Sequence, residues 1–280
     1  MKGFLAIAVL ACTSASWGQL GIERQREVGT SVTGAFEGWF KNSDGSYSLL
    51  LGYYNRNLKQ ELDIPVGPDN RIEPGGPDRG QPTHFVPGRG WGVFTVRVPA
   101  DFGDGRITWT LTANGKTTTI PAHLKAEYEI SPMKEFSVGN TPPVLSFREG
   151  GPTTQGPQLA GPLADFKTKV GTALPIAVTA YDDEKPVSNS SAKPRPGTPP
   201  VTVRWMVYRG PGPVMFSEER PAMQRAESRM NYLGVAKTTV IFPGPGEYIL
   251  QVVGNDYSGE GGSGFQCCWT NAQVKVVVAP

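Results

Sequence analysis

The sequence predicts an all-β protein made of two β-sandwich domains joined by a linker rich in proline and glycine. The chain has 280 residues, which is long enough for two domains of ordinary size. Its 35 glycines and 26 prolines favour short strands and many turns, because proline breaks a helix and glycine weakens one. Several short segments also alternate apolar and polar residues, as strands with one buried face do.

Residues 1–18 are predicted to be an export signal. Lys2 precedes a short apolar run that ends at Ala11, and small residues suited to cleavage follow. We expect the mature chain to begin near Gln19 and to be secreted, periplasmic or part of the outer cell envelope. The apolar run is too short to span a membrane permanently, and no later segment is long enough either. Cys12 leaves two interpretations open, namely a lipid anchor of the bacterial lipoprotein type and an ordinary cysteine of the signal.

The first predicted domain covers residues 28–130. Its expected strands are Ala35–Phe40, Tyr47–Tyr54, Val93–Val98, Arg106–Thr112 and Lys116–Ile120. Between the last two, Asn114-Gly115 is the strongest short hairpin signal in the chain. Five or six strands without a helical pattern predict a sandwich or barrel.

A long loop at residues 65–91 interrupts this domain, and loops of that length are usually functional or disordered. Charged side chains beside an exposed aromatic ring are a common way to hold sugars or peptides. Under that hypothesis the ligand-binding residues are Asp69, Glu73, Asp78, Arg79, His84 and Trp91. In the alternative interpretation, Trp91 caps the core and the charged side chains only face water.

Residues 131–164 are predicted to be the linker, because runs of proline and glycine mark domain boundaries. The second domain is then expected to cover residues 165–280. Its predicted strands are Ala173–Ala180, Val201–Tyr208, Lys237–Phe242, Gly246–Val253 and Ala272–Val278.

The second domain carries a specific combination of motifs. These are Tyr181-Asp182-Asp183, Val203-x-Trp205, Pro245-Gly246-Glu247-Tyr248 and Asn255-Asp256. With them the domain resembles the immunoglobulin-like family, and within it the polycystic-kidney-disease type of extracellular module. The resemblance implies that Trp205 fills the core between the sheets and that Tyr248 bonds back across a strand corner.

The first domain resembles uncharacterised secreted bacterial β-domains. The segments that carry this resemblance are Tyr54-Asn55-Arg56-Asn57 and the first part of the long loop, residues 65–85. No function is implied by it.

A calcium site is one candidate function of the second domain. Asp182 and Asp183 follow one predicted strand, and Asn255 and Asp256 follow another, with Glu184 and Glu260 close by in sequence. If these loops meet at one end of a sandwich, they can supply several of the six to eight oxygen ligands that Ca²⁺ takes. In the alternative interpretation they are ordinary turn formers.

After signal cleavage only Cys267 and Cys268 remain, and they are neighbours. Three states are open to them: a disulfide between neighbours, a bridge to another chain, and two free thiols. The C-x-x-C spacing of zinc and redox sites is absent from the sequence.

Composition argues against nucleic-acid binding and against most catalysis. The net charge is only +2 and no basic block occurs, whereas nucleic-acid binding needs a concentrated basic face. The two histidines, His84 and His123, are far apart in sequence, and no nucleophile elbow or metal spacing accompanies them. We therefore predict no enzyme and no cofactor, apart from the possible calcium.

These observations together predict a non-catalytic binding or structural protein that acts on a protein or carbohydrate at the cell surface. An accessory glycan-active enzyme is the alternative, because a glycoside hydrolase needs only two carboxylates. A subunit of a cell-envelope assembly is a third possibility.

Overall fold

A computed structural model describes residues 23–136, 139–157, 161–185, 199–226, 232–256 and 267–280. Within those ranges the chain forms eighteen strands and one short 3₁₀ turn, Ala126–Tyr128, and the predicted all-β class is confirmed. No helix of the described residues has the length and apolar character that a membrane span requires. The predicted signal, with Cys12, and Glu260 lie outside the described residues.

The first half of the chain contains eight strands. They are β1 (Val32–Lys41), β2 (Tyr47–Asn55), β3 (Leu62–Asp63), β4 (Asn70–Glu73), β5 (His84–Phe85), β6 (Gly88–Val98), β7 (Arg106–Ala113) and β8 (Lys116–His123). One sheet has the order β1-β2-β6 and the other β4-β7-β8, while β3 and β5 pair as a separate ribbon. Buried apolar side chains from both three-stranded sheets form one core, which makes this half a sandwich.

Local sequence explains the main features of this half. Asn114 and Gly115 join β7 to β8 with φ values of 49° and 75°, and positive φ at both central residues is what a type I′ hairpin requires. Trp109 of β7 is fully buried, and its indole nitrogen donates to Oδ1 of Asn70 at 3.0 Å. That bond ties β4, which lies within the predicted long loop, to the core.

The second half contains ten strands. They are β9 (Val144–Ser146), β10 (Thr153–Gln155), β11 (Ala164–Lys169), β12 (Leu174–Asp182), β13 (Thr202–Arg209), β14 (Met215–Phe216), β15 (Gln224–Arg225), β16 (Tyr232–Ile241), β17 (Gly246–Asn255) and β18 (Trp269–Ala279). One sheet has the order β10-β9-β12-β16-β14, with β15 also on β16, and the other has the order β11-β18-β17-β13. All described pairs here are antiparallel except β11 with β18.

Two aromatic side chains organise the core of this second sandwich. Trp205 is fully buried, and its ring centroid lies 5.8 Å from that of Phe147. The Tyr248 hydroxyl donates to the carbonyl oxygen of Gly244 at 3.1 Å, four residues upstream. This bond closes the corner through which the chain enters β17.

Two segments that we expected to be irregular contain strands. Residues 131–164, the predicted linker, include β9 and β10, and Leu145 of β9 lies opposite Ala180 of β12 with its side chain fully buried. Residues 65–91, the predicted loop, include β4, β5 and the start of β6. Proline and glycine cut these segments into short pieces, but they do not prevent a short piece from pairing at a sheet edge.

The two sandwiches contact each other through the outer face of the β11-β18-β17-β13 sheet. Tyr208 of β13 points away from its own core and joins the core of the first sandwich. Next to it, Gln251 donates to the carbonyl oxygen of Val93 at 3.3 Å, and Asn271 donates to that of Gly92 at 2.6 Å. We call this surface the interface face. Its side-chain amides bond the backbone of β6 directly.

Candidate functional site at the junction of the sandwiches

A narrow cleft lies where β6 of the first sandwich meets β13, β17 and β18 of the second. Aromatic, cationic and amide side chains line it. They include Tyr53, Arg89, Trp91, Arg204, Asn255 and Trp269. The enclosed volume of about 30 Å³ admits a water molecule or a ligand group of similar size. A larger ligand would therefore rest on the rim and insert one group.

Trp91 forms the exposed rim of this cleft, with 46% of its surface open to solvent. The Arg89 guanidinium lies 4.2 Å from the centroid of the indole ring, in cation–π geometry. Arg89 is itself held by an ion pair with Glu37 and by a bond of 2.7 Å to the carbonyl oxygen of Tyr53. The Trp91 ring is thus displayed on a fixed support.

Three buried polar atoms on residues lining the cleft have no hydrogen-bond partner in the described chain. They are Nε of Arg204, Oδ1 of Asn255 and Nε1 of Trp269. A buried polar group left unpaired costs about 1–3 kcal/mol. Two donors and one acceptor in the same small cleft can bind water or one polar group of a ligand.

Strand alternation and one glycine bring these groups together. Gln251, Val253 and Asn255 are alternate residues of β17, so their side chains share the interface face. Gly92 has a φ of 48°, and a Cβ atom there would overlap the indole of Trp269. Only glycine lets β6 approach the second sandwich this closely.

Five of the six loop residues predicted to bind a ligand lie away from this cleft. Asp69 is exposed beside β4, and Glu73 pairs with an arginine on the same strand at 3.0 Å. Asp78 accepts two bonds from Arg209 of the second sandwich, at 2.8 and 3.0 Å. Arg79 donates to two backbone carbonyls. Because the segment pairs as strands, these side chains are spread along it and do not form one patch with Trp91.

His84, the fifth of these residues, is buried between two carboxylates. Its Nδ1 lies 2.8 Å from Oδ1 of Asp63, and its Nε2 lies 3.3 Å from Oε2 of Glu61. Burial alone would lower the pKa of His84, but the bonds to Asp63 and Glu61 outweigh it and raise the pKa to about 9. The protonated imidazole therefore joins β3 to β5.

The predicted calcium residues separate into two places. Asp182 and Asp256 interact electrostatically at one end of the second sandwich. Asn255 points to the opposite side of its strand and lines the cleft, because neighbouring residues of a strand face opposite ways. Oδ2 of Asp183 forms an ion pair with Lys185 at 3.3 Å and accepts a hydrogen bond from the Thr141 hydroxyl at 3.0 Å. Across the described residues, no three His, Cys, Asp or Glu side chains are grouped around a common point.

Cys267 and Cys268 are joined to each other by a disulfide at the start of β18. Both are buried, and Sγ of Cys268 lies 3.5 Å from the carbonyl oxygen of Asn140. The pair thus sits against the segment that precedes β9.

The cleft residues Arg89, Arg204 and Trp269 were not anticipated from the sequence. A signal for one of them, Arg204, exists in β13, where Arg204, Met206 and Tyr208 alternate with core residues. An outer strand face that carries large side chains in place of small polar ones indicates that another surface covers it.

No family model and no curated protein matches the chain. Among solved structures, the PapD-like domain 7 of human CEP192 is similar over 56% of this chain and 97% of its own, with 10% identity and a TM-score of 0.28. The D00-D0 domain of intimin covers 89% of this chain and 100% of its own, with 13% identity and a TM-score of 0.27. Domains 4 and 5 of the S-layer protein SbsC cover 90% of this chain and 98% of their own, with 12% identity and a TM-score of 0.25. Likenesses this weak identify neither a family nor a function, and the fold rests on the strand pairing above.

Proposed function

We propose that the protein is a non-catalytic binding protein of the cell surface or envelope that holds a carbohydrate at the cleft between its sandwiches. The observation that supports this is the exposed Trp91 ring, fixed by Arg89, beside buried donors and an acceptor without partners. A sugar offers an apolar ring face for the indole and hydroxyl groups for the unpaired atoms, so it matches both parts of the site.

The way the cleft is built also favours binding. Its walls come from both sandwiches, and the interface face joins them through bonds such as Gln251 to the carbonyl oxygen of Val93. A site held in place before the ligand arrives avoids part of the ordering cost of association.

The cleft gives no support to a glycoside hydrolase. Its lining, as far as the structure describes it, contains no Asp or Glu side chain, whereas that chemistry needs two carboxylates across the bond to be cleaved. Nearby Glu37 accepts from Arg89 and from the backbone nitrogen of Gly92, and it serves to hold the rim.

A glycan-array and protein-array screen with the mature chain tests the proposal. We expect binding to surface glycans, and we expect Trp91→Ala to weaken it at least about tenfold, or about 1.4 kcal/mol. Tyr181→Ala is the matched control, because Tyr181 is an aromatic residue of similar exposure, 43%, on another sheet.

Equal glycan binding by the chain and by Trp91→Ala would contradict the site. Binding to proteins alone would replace the carbohydrate with a protein partner, and cleavage of any bound glycan would contradict the non-catalytic role.

A further inference from the structure

Asp182 and Asp256 lie at the same end of the second sandwich, on facing sheets. Ala180 of β12 pairs with Leu145, and a Cβ atom on Gly254 of β17 would lie 3.0 Å from the same leucine side chain. Asp182 lies two residues after Ala180 on β12, and Asp256 lies two residues after Gly254, directly beyond the end of β17. Both side chains therefore point into the space between the sheets, where the apolar core ends.

Both carboxylates are almost fully buried, and among the described residues Asp182 has no cationic partner. Asp182 is 2% exposed and Asp256 is 5% exposed. Oδ2 of Asp182 accepts from the backbone nitrogen of Glu184 at 2.8 Å, and Oδ2 of Asp256 accepts from Nδ2 of Asn140 at 2.6 Å. Burial raises the pKa of Asp182 to about 7, and the charge of Asp256 adds to the effect.

Two oxygen atoms at this end have no donor. Oδ1 of Asp182 and Oδ1 of Asn140 are buried without a hydrogen-bond partner in the described chain. Asn140 is fully buried, and its amide already contacts Asp256. An unpaired buried acceptor is rare in folded proteins and calls for a bound water or ion.

We propose that Asp182, Asp256 and Asn140 form a binding site for a calcium ion. The three side chains offer carboxylate and amide oxygens, which hard cations prefer. Neither histidine is close, and the nearby Cys267 and Cys268 are joined in a disulfide, so nitrogen and thiolate ligands for zinc are lacking there. Ca²⁺ accepts irregular geometry and completes its shell with backbone carbonyls and water, whereas Mg²⁺ demands a regular octahedron.

Such an ion would fasten three parts of the fold together. Asn140 belongs to the segment between the sandwiches, Asp182 ends β12 and Asp256 follows β17. The Asp256 nitrogen also donates to the carbonyl oxygen of Cys268, at 3.4 Å. Calcium binding is therefore expected to raise the melting temperature of the second sandwich. None of these three side chains lines the cleft with Trp91. The calcium proposal can therefore be tested independently of glycan binding.

Thermal unfolding and calorimetry of the mature chain test the proposal. With Ca²⁺ well above a Kd of about 0.1–1 mM, the range of extracellular modules, we expect the melting temperature to rise by about 3–6 °C over that in a chelator. Mg²⁺ at the same concentration should give a smaller rise.

The variants Asp182→Asn and Asp256→Asn keep the size of each side chain and remove its charge. Each is expected to weaken Ca²⁺ binding at least about tenfold, while Asp165→Asn, an exposed position on β11, should bind as the unaltered chain does. If one variant does not fold, the other and Asn140→Ala serve in its place. Absence of any Ca²⁺-dependent shift or heat in the unaltered chain would overturn the proposal. An unchanged response in both aspartate variants would do so too.

Discussion

Each sandwich contains an almost completely buried titratable side chain, His84 in the first and Asp182 in the second, and the two differ in how their charge is balanced. His84 of the first sandwich is 4% exposed and lies between Asp63 and Glu61. Asp182 of the second is 2% exposed, has the carboxylates of Asp256, Asp183 and Glu184 as charged neighbours, and leaves one oxygen without a donor. The first charge is balanced within the chain. In the part of the chain that the structure describes, the second has no cationic partner, so a proton or an ion from solution is needed to balance it.

Electrostatics turns this difference into opposite effects on stability. A buried charge with partners on both sides retains its charge and links the strands that carry those partners. A buried charge without a counter-charge costs several kcal/mol, which its pKa shift reduces by neutralising it. At neutral pH, His84 is therefore expected to stabilise the fold, and Asp182 to destabilise it when no cation is present.

The largest effect is expected from Asp182→Asn in the presence of a chelator. Raising the pKa of Asp182 from 3.8 to about 7 means that the folded state holds a proton that the unfolded chain has lost. Stability of the unaltered chain therefore falls as pH rises from about 4 to about 7. Asparagine does not ionise, so the variant does not lose stability in this way. At pH 8 we expect the variant to be more stable than the unaltered chain by about 2–3 kcal/mol.

Urea unfolding at pH 4 and pH 8 measures this difference, which should nearly vanish at the lower pH. Asp165→Asn is the control, because Asp165 is exposed on β11 and is not among the groups that shift the pKa of Asp182. A difference that does not change with pH would show that Asp182 is not an unbalanced buried charge.

A smaller effect of opposite sign is expected from His84→Gln. Because the folded pKa is about 9, above the ordinary 6.5, the stabilisation is complete below pH 6.5 and is lost as pH rises through 9. At pH 6 the variant should be less stable by about 2 kcal/mol, since glutamine keeps a bond to Asp63 but not the charge. Towards pH 10 the difference should shrink.

Chemical unfolding across that pH range measures the effect. His123→Gln removes the other imidazole of the same sandwich and is the control. Equal destabilisation at every pH would mean that His84 acts through packing alone.

The fold class can be predicted from local signals in the sequence, but the pairing of strands at the sheet edges cannot. Asn114-Gly115 and the alternation in β6 act between near neighbours, so the sequence predicts the strands they belong to. The pairing of β9 with β12 depends on Leu145 reaching the core of a sandwich whose strands come later in the chain. No property of residues 131–164 alone reveals that contact.

The calcium hypothesis shows the same limit for a site. The position of Asp182 and Asp256 at one end of the second sandwich is predictable, because Asp182 ends one strand with a buried inner face and Asp256 follows another. Asn255 does not join them, because β17 continues through it and neighbouring residues of a strand point to opposite faces. Asn140 was missed because it lies in the predicted linker, and only the fold brings it to Asp256.

The smallest effect is expected where a charge pair remains in water. Asp78 and Arg209 join the two sandwiches, with side chains 51% and 22% exposed, and the Arg209 guanidinium lowers the pKa of Asp78. Solvent and salt screen such pairs, so Asp78→Asn should cost only about 0.5 kcal/mol and still less in 1 M salt.

A double-mutant cycle with Arg209→Gln at low and high salt measures the coupling. A loss above about 2 kcal/mol that salt does not reduce would mean that this pair is as important to the junction as the interface face itself. In that case, pairing a charge with a partner would stabilise the fold at the surface as it does in the interior.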